Sequence, residues 1–436
     1  LYDTYGFPIE ITTEICMENG LEVDRSEFLK IMEKQKTSSK NSSEIKSGNL
    51  SQKLYSSLKI KPTEFTGFET LETESKILEI IQDNKIVEKI NNEEVFEIIT
   101  DKSPFYAEKG GQVGDKGTGI SKTGEFNIID TISPYGGIFV HKSKMKSGEI
   151  TKNSTIKLIV EEERREKIKR NHTATHLLHA ALREIIGIHV RQSGSLVHPD
   201  YLRFDFTSLE SLDESSLKNI EFKVNEYIRN NIEVEVCNTT YNKAIEEGAI
   251  AFFDDKYDND VRTIRIDAPW SFELCGGTHM DRTGGIGLFK IISESGIGSG
   301  NRRIFATTGI GTENIVDNNQ SIVSEITKAL SSNNEDVIEK FNQLQKLSKE
   351  QQKEIENLNI KITNLSMGNT DKSISQEFEI GSTKISCSKV SASNIGALRN
   401  AGDTQRTRLG KGLAILGSII EDKGVIVIMA TDDIAL

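Results

Sequence analysis

Cysteine is scarce in this chain: Cys16, Cys237, Cys275 and Cys387 are its only four among 436 residues. They are widely scattered, with no disulfide-framework spacing. That excludes a stapled secreted scaffold and points to a reducing, cytoplasmic setting. Long apolar runs are missing too. None approaches the ~20 residues that span a bilayer, so no membrane partner is expected, and the start shows no secretory leader. Excess positive charge is absent: the formal net charge of −12 argues against a surface that binds nucleic acid everywhere. A local basic face can still grip phosphates. Methionine is absent from position 1, and LYDTYGFP reads as the middle of a folded element. A further domain upstream is therefore expected, and VIVIMATDDIAL stops just after a strand-like run.

What remains is an ordinary soluble composition, 36% hydrophobic and 28% charged, with length for about two to four domains. The expected fold class is α+β multidomain, read in five segments. Residues 1–60 carry helical spacing with a stop at Gly20, then a Ser-, Lys- and Asn-rich linker. Residues 61–160 hold short β runs (SKILEIIQ, EVFEIIT, EFNIIDTI, GGIFVHK, STIKLIV) and predict a small antiparallel β-barrel. Residues 161–311 mix helices and strands and hold most polar clusters. Residues 312–370 predict a helical stem: 312–366 lack proline and glycine, and Val337, Phe341, Leu344, Ser348, Gln351, Ile355, Leu358, Ile362 and Leu365 step by fours and threes. That pattern suits a coiled coil or a long helical hairpin, with one amphipathic helix lying on a neighbouring domain as the alternative. MGNTDKS breaks the helix, and 371–436 predicts a small α/β domain.

Seven histidines occur in all, and three of them, His172, His176 and His179, fall within RNHTATHLLHAALREIIG. Residues i and i+4 share a helix face, so His172 and His176 can turn their imidazoles on one ion, with His179 nearby. A metalloprotease would carry glutamate after the first histidine; here that place is Thr173. More ligands come from FELCGGTHMDRTGGIGLFKI, where Cys275 and His279 stand four apart around Gly276 and Gly277. The expected set is His172, His176, Cys275 and His279, one zinc per chain. AEKGGQVGDKG has neither a Walker lysine nor GxGxxG, so its glycines are read as β-turns. His141, His189 and His198 are read as structural.

The histidine helix together with ELCGGTH resembles the editing domain of alanyl-tRNA synthetases and their free-standing trans-editing relatives. LYDTYGFPIEITTEI resembles the end of that family's tRNA-recognition helices. SPFYAEKGGQVGDKG, RQSGSLVHPDYLRFDF and GSGNRRIFATTG resemble its barrel stretch, its strand hairpin and the end of its editing domain. The resemblance implies hydrolysis of mischarged seryl-tRNA(Ala) and glycyl-tRNA(Ala). It also implies contact with the tRNA(Ala) acceptor end and a homodimer formed through the C-terminal region. ATP and Mg2+ would act only in an aminoacylation domain that this chain lacks. A non-catalytic tRNA-binding and dimerisation module with a structural zinc is the alternative.

Thr175 lies at i+3 from His172, so its hydroxyl either meets a serine substrate beside the metal or bonds back to its own helix. Gln192 and Ser195 match the family's polar pocket hairpin, with turn roles as the alternative. Thr175, Gln192 and Cys275 are the residues expected to act in hydrolysis. RREKIKR places Arg164, Arg165, Lys167, Lys169 and Arg170 just before His172, where they would meet phosphates. Arg302 and Arg303 form a second basic spot after a glycine loop.

Overall fold

The computed structural model describes residues 54–436 apart from 209, 252–257, 299, 369–374, 433, 435 and 436. Before residue 54 it describes only residues 12, 13, 16, 17, 20–24, 27, 28 and 30–32, and it gives no side chains for 363, 364 and 366–368. Most of the expected N-terminal helical region and linker, the MGNTDKS break and the last residues thus lie outside the described part. The chain divides into two compact units, 1–317 and 318–436, and is mixed α/β throughout.

All five predicted β runs form strands of a closed antiparallel barrel. Its members are Glu72–Gln82 (β1), Val95–Thr100 (β2), Gly117–Ser121 (β3), Gly124–Tyr135 (β4), Ile138–Gly148 (β5) and Thr155–Val160 (β6). The order is β6-β3-β4-β5-β2-β1, and β6 pairs back onto β1 to close the ring. Alternation explains the filling: Ile77, Phe96, Ile98, Phe126, Ile128, Ile156 and Leu158 point inward and are buried together. The sixth strand, β3, reads GTGIS and carries almost no β signal. Gly119 is needed there because a Cβ would lie 2.0 Å from the Phe126 ring.

His141 on β5 is fully buried, 3.3 Å from Thr131 Oγ1 and 3.5 Å from Thr100 Oγ1, with the Phe105 ring edge-on. Burial among these uncharged neighbours pushes its pKa from 6.5 down to about 3. The unfolded chain therefore takes up a proton below about pH 6.5 that the folded barrel refuses. Stability is full above that value and falls as pH drops toward the folded pKa. Between pH 7 and pH 5 the loss is about 2 kcal/mol from this group, since each unit below 6.5 is worth about 1.4 kcal/mol. His141→Gln should remove that part of the acid slope; urea midpoints of parent and variant at the two pH values measure it.

Beyond the barrel, Glu162–Ile185 forms a 24-residue helix (α1). Glu162 and Glu163 in its first turn and Arg183 in its last suit the helix dipole, and Gly187, at φ +143°, lets the chain leave it. Its middle is buried all round, from Asn171 to Leu182. The apolar side, Ala174, Leu177, Leu178, Ala181 and Leu182, packs on Phe204, Phe206, Ile304 and Ala306. Those residues come from a four-stranded antiparallel sheet of Gln192–Val197 (β7), Leu202–Thr207 (β8), Phe289–Gly298 (β12) and Asn301–Thr308 (β13), in the order β7-β8-β13-β12. Helix Glu214–Arg229 (α2) adds Ile220 and Val224 to the same core. The helix's polar side faces a second, three-stranded sheet made by Glu235–Thr240 (β9), Asp260–Ile266 (β10) and Ser271–Leu274 (β11).

In the second unit, Ser375–Ile380 (β14), Thr383–Lys389 (β15), Gly412–Ile420 (β16) and Lys423–Ala430 (β17) form a sheet in chain order. Strands β15 and β16 are parallel, joined by helix Ile395–Leu409 (α5). Asn394 caps that helix by accepting from Ala397 N at 2.8 Å, and Ala397, Leu398 and Ala401 pack on Ala414 and Leu416. Two long helices precede the sheet, Ile310–Ala329 (α3) and Val337–Gly368 (α4). On α4 the seam residues Phe341, Leu344, Ile355, Leu358, Ile362 and Leu365 are 45–72% exposed.

Candidate metal centre

Helix α1 sets His172 and His176 one turn apart with stacked rings, 5.4 Å between centroids. Strand β11 runs into Cys275, and the loop after it turns His279 back onto the same spot. One ligand atom from each of His172, His176, Cys275 and His279 lies within 4.8 Å of the others, a group that could hold a metal ion. The two glycines of the loop differ in purpose. A Cβ at Gly277 would lie 2.0 Å from His172 Cε1, whereas Gly276 has open space around it. Gly277 is therefore glycine because an imidazole passes there.

Each histidine of the four is held by Nδ1. His172 Nδ1 is 2.8 Å from Gln112 Oε1, His176 Nδ1 is 2.7 Å from Glu273 Oε2, and His279 Nδ1 is 3.4 Å from Thr173 Oγ1. The Thr173 hydroxyl spends its proton on Lys169 O at 2.9 Å, so toward His279 it can only accept. All three rings thus turn Nε2 inward, as metal-binding imidazoles do. Cys275 Sγ lies 3.4 Å from His172 Nε2 and 3.3 Å from His279 Nε2, while His176 Nε2 is buried without a hydrogen bond.

The charges match a cation site. Burial opposes the Cys275 thiolate, but His172 and His279 outweigh it and hold the thiol well below its ordinary range. Burial, aided by His172, pushes His279 down to about 3. Burial would also lower His176, yet the Glu273 carboxylate overrides it and lifts His176 to about 10. A metal ion must displace that proton to use Nε2.

His179, the third histidine of the run, stands outside the four. Its Nδ1 meets Glu273 Oε1 at 2.8 Å, so one carboxylate braces His176 and His179 together. Sequence reasoning missed Glu273, Thr173 and Gln112. Glu273 had a signal, standing two residues before Cys275 and so on the same side of the strand. Gln112 had none, because 60 residues separate it from His172.

Thr175 is buried and donates to Asn171 O at 2.8 Å, so its hydroxyl proton stays with the helix. Gln192 and Ser195 are brought together, Gln192 Nε2 donating to Ser195 Oγ at 3.2 Å. Among the described residues no hydrogen bond joins either to the four donors. They do touch the barrel, where the turn Gly110–Val113 lies along the free edge of β7. Val197 N donates to Gly111 O (2.7 Å) and Val113 N to Val197 O (3.2 Å). A Cβ at Gly111 would lie 2.3 Å from Ser195 Oγ. The residues read as a plain β-turn thus form the wall beside the hairpin.

The basic run needs correction. Arg165 does not face solvent: it is 2% exposed and paired with the buried Asp115. It also donates to Gly67 O (2.7 Å) and Pro104 O (2.8 Å), locking α1 to the barrel. Arg302 and Arg303 are also engaged, Arg302 with Glu294 and Arg303 in a two-pronged pair with Asp205 at 2.7 and 2.8 Å. They do not form a free basic spot, because the neighbouring strands carry carboxylates opposite them. Arg164, Lys167, Lys169 and Arg170 keep solvent-facing atoms; Lys167 and Lys169 pair with Glu163 and Glu166 one turn away, contacts worth a few tenths of a kcal/mol (~0.3–0.5).

A histidine helix answered by a cysteine–histidine loop beside a glycine-rich barrel resembles the tRNA synthetases. Residues 1–164 match the family described as tRNA synthetases class II (A), and residues 261–305 match the Threonyl and Alanyl tRNA synthetase second additional domain. Within that class the likeness is to alanine–tRNA ligases, and it runs along the whole chain. The chain is 38% identical over 434 residues to the alanine–tRNA ligase of a Thermoanaerobacter species, covering 100% of this chain and 49% of that protein. It is 37% identical over 436 residues to that of Acetivibrio thermocellus and 38% over 437 residues to that of Dehalococcoides mccartyi, covering 49% and 50% of those proteins. The chain spans about half the length of these relatives. No described helix is long and apolar enough to cross a membrane.

Proposed function

We propose that this chain is the editing portion of an alanine–tRNA ligase, which hydrolyses the ester of seryl-tRNA(Ala) and glycyl-tRNA(Ala) with one zinc per chain. The observation that carries the reading is the convergence of His172 and His176 with Cys275 and His279, the last two within residues 261–305, the stretch similar to the synthetase second additional domain. The need for such a site is physical. An alanine pocket separates substrates differing by one methyl or hydroxyl by only about 10–200-fold.

The three imidazoles present Nε2 and Cys275 presents its thiolate. Bound there, zinc would polarise the ester carbonyl, orient the substrate or acidify water. Thr175, its proton already given to the helix, accepts a hydrogen bond from the serine hydroxyl; alanine offers none. Gln192 and Ser195 bind the ester or ribose common to all substrates. Arg164, Lys167, Lys169 and Arg170 meet phosphates of the acceptor end. The exposed seam of α4 favours a second copy of the chain as its cover.

One observation supports a non-catalytic module with a structural zinc: four protein donors converge, and together they would satisfy a zinc ion without leaving a position for water. Deacylation decides between them. Seryl-tRNA(Ala) should lose serine faster with zinc-loaded than with chelated protein, by roughly tenfold or more, or about 1.4 kcal/mol of transition-state stabilisation. Equal rates with and without metal leave only the module.

A further inference from the structure

We propose that Gln112, carried by the barrel, is a positioning residue that sets His172 as a metal ligand, so the metal site is complete only with the barrel docked. The inference rests on the reading of the four side chains as a metal site.

The backbone N–H of Thr278 can only donate, and its partner is Gln112 Oε1 at 2.9 Å. That fixes the amide: the oxygen faces the ligand loop, and Nε2 donates to Thr278 Oγ1 at 3.0 Å. The same oxygen lies 2.8 Å from His172 Nδ1, so it must receive a proton from that nitrogen. A neutral imidazole has one N–H. With it on Nδ1, the Nε2 lone pair is directed at Cys275 and the metal position. His176 and His279 are set in the same sense by Glu273 and Thr173, from β11 and α1. His172 alone is set from the barrel.

Gln112 is well placed for the task. It is fully buried and follows Gly110 and Gly111, at φ +60° and +82°, a turn that side-chain-bearing residues enter only with strain. Strand β10 holds the other flank of the loop. Arg262 Nη1 donates to Cys275 O (3.0 Å) and Gly277 O (2.7 Å) while its guanidinium lies 4.3 Å over the Phe68 ring.

The test is zinc affinity by competition with a chelator, measured on the full chain. Gln112→Met keeps length and removes the acceptor; its zinc dissociation constant should rise about 10–100-fold. Gln112→Glu keeps an acceptor for both His172 and Thr278 and should stay within about threefold of the parent, as second-shell carboxylates do. A merely packing role predicts the opposite order, since a buried charge disturbs packing more than methionine does. Cobalt(II) gives a second readout: at equal loading the thiolate-to-cobalt absorption should change in Gln112→Met and persist in Gln112→Glu. Zinc binding by Gln112→Met within twofold of the parent, or by Gln112→Glu as weak as by Gln112→Met, overturns the proposal. A parent that binds no zinc overturns it together with the metal reading. Loss of deacylation alone, with these affinities as expected, counts only against editing.

Discussion

Replacing Arg165 by methionine is expected to destabilise the first unit by about 3–5 kcal/mol, the cost of leaving one partner of a buried ion pair alone. Asp115 is fully buried, and among the described residues it accepts, besides Arg165, only the backbone N–H of Tyr106, at 2.7 Å. Without the guanidinium, its charge stays in a place water does not reach. The carbonyls of Gly67 and Pro104 also lose their donor. Such a carboxylate would have to protonate or drag water in, and either course loosens the contact between barrel and helix. Arg165→Met combined with Asp115→Leu should recover most of the loss, because two apolar groups leave no stranded charge. Urea unfolding of parent, single and double variants tests this. A single variant within about 1 kcal/mol of the parent would show that the pair does not hold the two subdomains.

Cys275→Ala is expected to weaken zinc retention by about 100–1,000-fold. Structural zinc sites with four ligands are worth about 10–16 kcal/mol, so an average ligand accounts for roughly 2.5–4. Cysteine should give at least that share, its thiol being already poised toward the thiolate. His179→Gln provides the contrast. His179 reaches the site through Glu273, so its loss should cost about tenfold, the lower end of outer-shell effects. Zinc content after dialysis against a competing chelator ranks the variants. If Cys275→Ala keeps as much zinc as the parent, the thiolate is not a ligand and the four-donor set is wrong.

These two expectations differ in how they could have been reached. The donors around Cys275 are legible in the sequence because each half of the set is local. His172 and His176 follow helical spacing, and Cys275 and His279 stand on one glycine loop. The barrel was legible for the same reason, five of its six strands being β-rich runs between turn residues. Strand β3 was not, because GTGIS is shaped by what Phe126 leaves room for. Arg165 was misread from a run of five basic residues, since the carboxylate that claims it lies 50 positions away. Arg303 repeats the case with Asp205, 98 positions off. Local periodicity reports which way a side chain points, but only the closed fold reports who meets it there.

The barrel turn beside Val197 has a bearing on shortened versions of this protein. Strand β7 is the outermost member of its sheet, and Gly111 and Val113 occupy the hydrogen-bonding groups it would otherwise offer to solvent. A version beginning at the histidine helix would bare that edge, with Leu196 and Val197 in it. Bared edges recruit strands from other molecules. The barrel is therefore also a guard against self-association, and a version trimmed in that way would need a proline or a lysine at that edge to stay dispersed.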